Sequence, residues 1–336
     1  MRISIAVPTG EEGVYTPVPF ARPKDILGIA QTAEKLGFYA VWGLDFITPG
    51  LSMGIKEGEV PNWYEVLISL ACVSSLTERI RLGTGVLVLP QREPILLAKQ
   101  MATLDHFSGG RAILGVGVGS HRDEFEAMFP RLKKADRSAM MKEQLEALNL
   151  LLSQEEASFK GKYVEFEGVS LNPKPVQKPF PIYLAGNHPD TASRVAKWCS
   201  GWIMSVSTSV EGVSERIERL KRLLGEQGRD LSEVDLTAVS VLSVDKSHDA
   251  AVDRFKNSRV VKRAKGQDVE GFVSRNMIGT PDEIVEKLHK LERQGVTHVL
   301  MANRANRTFK EMEEQTRMVG EQVIPMFSKS EKRQRN

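Results

Sequence analysis

The side chains best suited to chemistry cluster where apolar runs give way to glycine. Gly186-Asn187-His188-Pro189 follows PIYLA and precedes a helical pattern. A glycine there lets the backbone turn closely, Pro189 suits a first helical position, and a helix N-terminus offers N–H groups and positive dipole to an anion. Phosphate binding is the chemistry this stretch suggests; an ordinary strand-to-helix turn is the alternative. Gly115, Gly117 and Gly119 read G-x-G-x-G after another apolar run, without the third glycine of a dinucleotide fingerprint. They fit either close backbone approach to a ligand or a crowded interior that admits only small residues. His121 and Glu124 follow at once, Asp45 closes the run FYAVWGL, and His188 is a further candidate acid or base. Asp45 suits a hydrogen bond to a ligand or water, or a structural cap. His121 and Glu124 suit a ligand contact or a solvated helix start. No H-E-x-x-H, Walker A or G-x-S-x-G element occurs, so zinc protease, NTP hydrolase and serine hydrolase readings find no support, and no metal site is expected.

The elements that must position these residues alternate in type. RIRLGTGVLVL and RAILGVGVG are β-branched, apolar and too short for core helices, hence buried strands. Between them Pro94 opens a helix whose apolar face is stopped by Ser108-Gly109-Gly110. Strand, crossover helix and strand make a parallel unit whose ligand side is the carboxyl end of its strands. ISIAVP, FYAVWGL, PIYLAG, GWIMSV, LTAVSVLSV and VTHVLM supply the remaining strands. Thr280-Pro281-Asp282-Glu283 predicts a capped helix, and Asn62 with Glu65 three residues on predicts another. Eight such units favour an α/β fold of the (β/α)8 TIM-barrel type over an open doubly wound sheet. One domain is expected over residues 1–328, with loops inserted near 9–22, 46–61, 157–178 and 249–277, and a basic, solvated tail at 329–336. The 157–178 stretch alternates and then turns proline-rich, predicting a hairpin and an extended arm. The charged, weakly periodic 249–277 stretch predicts a mobile cover over the pocket.

Composition narrows the function classes. Among 336 residues, 41% are hydrophobic and 26% charged, which suits a soluble globular protein. The 46 basic and 43 acidic side chains leave a formal charge of +3, too balanced for a nucleic-acid or membrane surface. Cys72 and Cys199 lack metal-ligand spacing and read as reduced thiols of a cytoplasmic protein. The start MRISIAVPTG has no signal pattern, and no apolar run is long enough to span a bilayer.

Taken together, RIRLGTGV, the helix ending LAKQMATLDHFSGGR, ILGVGVGSHRDEF, PFPIYLAGNHPDTASRVAKWCSGWIM and IGTPDEIVEKLHKLERQGVTHVLM resemble the luciferase-like monooxygenase superfamily, particularly its flavin- and deazaflavin-dependent oxidoreductases. The resemblance runs over essentially the whole chain in the family's order. It implies a reduced deazaflavin coenzyme (F420) or FMN as cofactor, a small organic substrate, no nucleic-acid or membrane partner, and a homodimer. By the same match, Thr84 lies near the polar edge of the cofactor ring, and Gly85-Val86 forms a non-proline cis peptide or bulge against the ring. Gly117, Val118 and Gly119 approach the cofactor, and Ala185, Gly186 and Asn187 meet its phosphate side. Asp45 and His121 are the implied catalytic positions, although Phe46 stands where many deazaflavin-dependent relatives carry histidine. The leading expectation is hydride transfer with F420. The alternatives are an FMN-dependent monooxygenase using oxygen and a flavin-binding protein without activity; fold alone would also allow a barrel hydrolase or isomerase, which no ligand cluster supports.

Overall fold

The computed structural model describes residues 1–205, 210–263 and 268–327. Among these described residues twelve strands form: β1 (Arg2–Val7), β2 (Ala40–Gly43), β3 (Arg81–Thr84), β4 (Leu87–Val88), β5 (Ala112–Gly117), β6 (Ala157–Lys160), β7 (Glu165–Val169), β8 (Ile182–Ala185), β9 (Gly201–Ser205), β10 (Asp235–Val244), β11 (Met277–Gly279) and β12 (His298–Ala302). Eight of them pair in parallel in the order β1-β2-β3-β5-β8-β9-β10-β12, and β12 pairs with β1 to close the barrel. The fold is the expected (β/α)8 barrel, and all eight expected strands are in it.

Steric fit around two large side chains fills the barrel. Trp42 and Tyr183 join Ala40, Ile113, Ile203 and Leu300 in an interior cluster. Their neighbours are glycines because nothing larger fits: a Cβ on Gly83 would lie 2.4 Å from the Trp42 ring and one on Gly201 2.3 Å from Tyr183. Toward the amino ends of the strands the filling is polar but satisfied. His298 is buried between the Ser4 and Thr237 hydroxyls at 2.6 and 3.0 Å, and Tyr183 donates to Asp235 at 2.5 Å. Outside the barrel, the apolar faces of the helices pack on the outward residues of the strands in a second, larger core.

The third strand is interrupted where the resemblance implied: the Gly85–Val86 peptide is cis, and β4 resumes pairing with β5 beyond it. Elsewhere the structure departs from the sequence reading in places with local causes. The helix expected to be capped by Asn62 starts later, at Val66, with Glu65 itself accepting from the Ile68 N–H at 2.8 Å. Asn62 is drawn off by a tertiary partner, its N–H donating to Glu12 at 2.9 Å. Beyond β10 the chain forms helices at His248–Lys256, Arg259–Arg263 and Val269–Arg275, then the unforeseen β11; Phe255 and Phe272 stack 5.0 Å apart between them. The 157–178 hairpin forms as β6 and β7. The tail at 329–336 lies outside the described residues.

Three inserted loops are tied together over the carboxyl face. Buried Glu12 accepts from the N–H groups of Phe20, Ala21 and Asn62. Arg259 donates to the Gly13 carbonyl at 2.8 Å and to Glu59 at 2.9 Å, joining segments 9–22, 46–61 and 249–277 at one side chain.

Candidate active site

The carboxyl ends of the barrel strands bring the expected residues to one mouth. Val86, Ala185 and Val239 are half-buried and cap the interior cluster, so the floor of the mouth is apolar. Val86 is also what Gly117 makes room for, since a Cβ there would come within 2.9 Å of its side chain. Gly119 has φ of +78° and lies under Val88, where a Cβ would approach to 2.6 Å. Thr84 is fully buried and its hydroxyl donates to the Gly115 carbonyl at 2.7 Å, which ties β3 to β5.

Asp45 sits behind this floor, 1% exposed, with both carboxylate oxygens engaged. One accepts from the Val88 N–H at 2.9 Å and the other from Arg92 at 2.6 Å, while Arg92 also reaches Glu65 at 3.4 Å. Burial pushes the Asp45 carboxyl up to about 6, against the opposing pull of Arg92. In this position it fixes the short strand that carries the floor.

His121 stands on the rim at the start of the helix Arg122–Met128. Its ring meets Phe46 edge-on at 5.7 Å, and its Nδ1 lies 2.9 Å from the Ser52 hydroxyl. That hydroxyl is 2.7 Å from one oxygen of Asp123, whose other oxygen accepts from the Ser52 N–H at 2.6 Å. Glu124, buried, accepts from the Ile47 and Thr48 N–H groups. Two successive carboxylates thus pin the 46–61 loop to the segment after β5.

Across the mouth, Gly186 has φ of +141°, and its carbonyl accepts from the Trp202 indole at 2.8 Å. Asn187 accepts from the Ser205 N–H at 3.3 Å, bridging the ends of β8 and β9. The helix Pro189–Trp198 is capped from within: His188 Nδ1 accepts from the Asp190 N–H at 3.2 Å, and the His188 carbonyl from the Thr191 N–H at 2.9 Å. Two cationic groups on this side are ones the sequence reading missed. Arg137 donates to the Val118 and Gly119 carbonyls at 3.3 and 3.2 Å, and Arg194 donates to the Ser138 hydroxyl at 2.9 Å. Among the described residues neither forms an ion pair, and burial lowers the Arg137 pKa. A second overlooked group is Glu11. It is buried beside Arg304 at 3.2 Å, with one oxygen lacking a partner among the described residues, and burial pushes its carboxyl up to about 7.

The mouth can therefore seat a flat apolar ring on its floor and an anionic tail toward Arg137 and Arg194, with titratable groups on the rim. No group of three or more potential metal ligands occurs among the described residues.

Comparison with known proteins bears on the family and the fold. The family model described as luciferase-like monooxygenase matches residues 1–298. The FMNH2-dependent dimethylsulfone monooxygenase of Pseudomonas putida is 27% identical, over 91% of this chain and 88% of its own. The F420-dependent glucose-6-phosphate dehydrogenase of Microbacterium testaceum is 26% identical, over 91% and 94%. The solved structure of the coenzyme F420-dependent tetrahydromethanopterin reductase from Methanopyrus kandleri superposes with a TM-score of 0.73 at 21% identity, covering 97% of this chain and 100% of that one.

Proposed function

Because the chain belongs to the luciferase-like monooxygenase family, we propose that it is an oxidoreductase that exchanges a hydride between the deazaflavin coenzyme F420 and a small organic substrate at the barrel mouth. The bound coenzyme supplies the electron pair. The observation that carries the reading is the junction of the apolar floor with Arg137 and Arg194, two guanidinium groups without carboxylate partners among the described residues. Val86, Ala185 and Val239 orient a ring and keep water from one of its faces. Arg137 and Arg194 offer planar donors to a phosphate, the geometry in which arginine binds oxyanions best. Gly119 and Gly186 let the backbone pass close to that tail. His121 takes or returns the substrate proton on the rim, the role left open by Phe46. The tied loops close water out of the mouth.

A second reading, oxygen-dependent oxidation with reduced FMN, is favoured by the similarity to the dimethylsulfone monooxygenase. Separate titrations of the purified protein with FMN and with F420, followed by fluorescence, discriminate the two. Tight binding of F420 supports the proposal. Binding of FMN alone, with oxygen consumption by the reduced complex, replaces it by the second reading; tight binding without turnover on any substrate would favour a flavin carrier.

A further inference from the structure

We infer that Ser52 and Asp123 are positioning residues that hold the His121 imidazole in a single tautomer, with hydrogen on Nδ1 and Nε2 as its proton-accepting nitrogen. This rests on the reading of His121 as the acid–base group, and it follows from counting donors.

Asp123 accepts two hydrogen bonds from one residue, the Ser52 N–H at 2.6 Å and the Ser52 hydroxyl at 2.7 Å. The hydroxyl bond, followed by the backbone bond, holds its carboxyl below the usual range, so Asp123 is ionised and can only accept. The Ser52 proton therefore points at Asp123. That leaves lone pairs of Ser52 Oγ toward His121 Nδ1, 2.9 Å away, and a contact between lone pairs at that distance is repulsive. Nδ1 must carry the hydrogen, and in the neutral ring Nε2 is then the acceptor. When Nε2 takes up a proton, the Nδ1–H bond to Ser52 persists, so the cation is accommodated without rearrangement.

The surroundings support a built arrangement. A Cβ on Gly50 would lie 2.7 Å from the Asp123 carboxylate, so only glycine leaves that carboxylate its place. Phe46 braces the ring at 5.7 Å and is itself packed on Trp63 at 5.1 Å. Of the adjoining helix residues, Glu124 holds the Ile47 and Thr48 N–H groups, and Arg122 pairs with Glu126 at 2.7 Å. The positioning pair thus lies on the segment after β5 and on the inserted 46–61 loop, which makes closure of that loop a condition for the correct tautomer.

The test is the near-isosteric variant Asp123→Asn, read by 15N NMR of the histidine-labelled full chain, which needs neither substrate nor cofactor. Asparagine must keep its oxygen toward the Ser52 N–H, which turns its NH2 toward Ser52 Oγ. Ser52 then donates to His121 Nδ1, and the tautomer should invert to Nε2–H. Ser52→Ala should give a mixture, and Ser52→Thr should restore the original form. A wild-type ring already in the Nε2–H form, or one unchanged in both Asp123→Asn and Ser52→Ala, would overturn the inference. Failure of the underlying reading looks different: His121→Gln would turn over like the wild type, where loss of an acid–base group should cost about a hundredfold or more.

Discussion

Replacing Asp45 by asparagine is expected to flatten the decline of stability with rising pH. In the wild type, burial raises the Asp45 carboxyl from 3.8 to about 6 despite Arg92 and the Val88 N–H. Since the folded value is the higher one, the native state holds this proton more tightly than the unfolded chain does. The resulting stability is fully present below pH 3.8 and is lost as pH rises through 6. The whole swing is about 3 kcal/mol, of which roughly half falls between pH 5 and pH 8. Asparagine has nearly the shape of the protonated acid and does not titrate, so this swing drops out of the variant. Its one carbonyl oxygen cannot replace both carboxylate oxygens, so its NH2 meets the Val88 N–H or the Arg92 guanidinium donor to donor, which adds a penalty of about 1–3 kcal/mol that does not vary over this pH range. Thermal unfolding of both proteins should therefore show the variant below the wild type at pH 5, with the gap closing by about 2 °C at pH 8. Parallel curves would mean that Asp45 is already ionised at pH 5. A gap widening with pH would show that the Arg92 pair outweighs burial, and the reasoning would fail.

Other expectations test the barrel and the anion side of the mouth. Gly115→Ala places a Cβ 2.1 Å from the Thr84 carbonyl oxygen, a backbone atom held in the sheet, and should cost about 3 kcal/mol or more in a urea titration; an unchanged midpoint would disprove the close approach. Burial depresses His298 from 6.5 to about 3, so the stability it contributes is full above 6.5 and is lost as pH falls through 3. Between pH 7 and pH 5 the loss is about 2 kcal/mol, and His298→Gln should be less stable overall yet flatter across that interval. Arg137→Gln should weaken FMN or F420 by about tenfold to a hundredfold while leaving riboflavin, which has no phosphate, unaffected. Equal losses for FMN and riboflavin would remove Arg137 from the phosphate site.

What could be read in the chain beforehand was set by how local its physical cause is. Each barrel strand is a short apolar run bounded by turn residues, and Thr280 with Glu283 caps its helix through neighbours three apart, so both were legible. At Asn62 and Glu65 the same pattern misled, because Glu12, fifty residues away, claims Asn62. The interruption after Thr84 leaves no trace in composition, since both halves of RIRLGTGVLVL are apolar; the family resemblance located it. The site's polar partners were hidden for a different reason. Ser52 meets His121 across 69 positions and Arg304 meets Glu11 across 293, and no periodicity carries such pairings. Arg137 opens the helix Arg137–Ser153, and only the packing of that helix beside the end of β5 gives it the carbonyls of Val118 and Gly119.

The Arg259 junction has a bearing on how this enzyme can change. Its guanidinium and the Glu59 carboxylate are 18% and 20% exposed, and the same group holds the Gly13 carbonyl. A graft that imports one of the three loops from a relative would leave one charge of this partly buried pair without its partner, which destabilises. New substrate preference should therefore be acquired by exchanging segments 9–22, 46–61 and 249–277 as one cassette. Single-loop chimeras are expected to fold poorly even where every new side chain suits the new substrate.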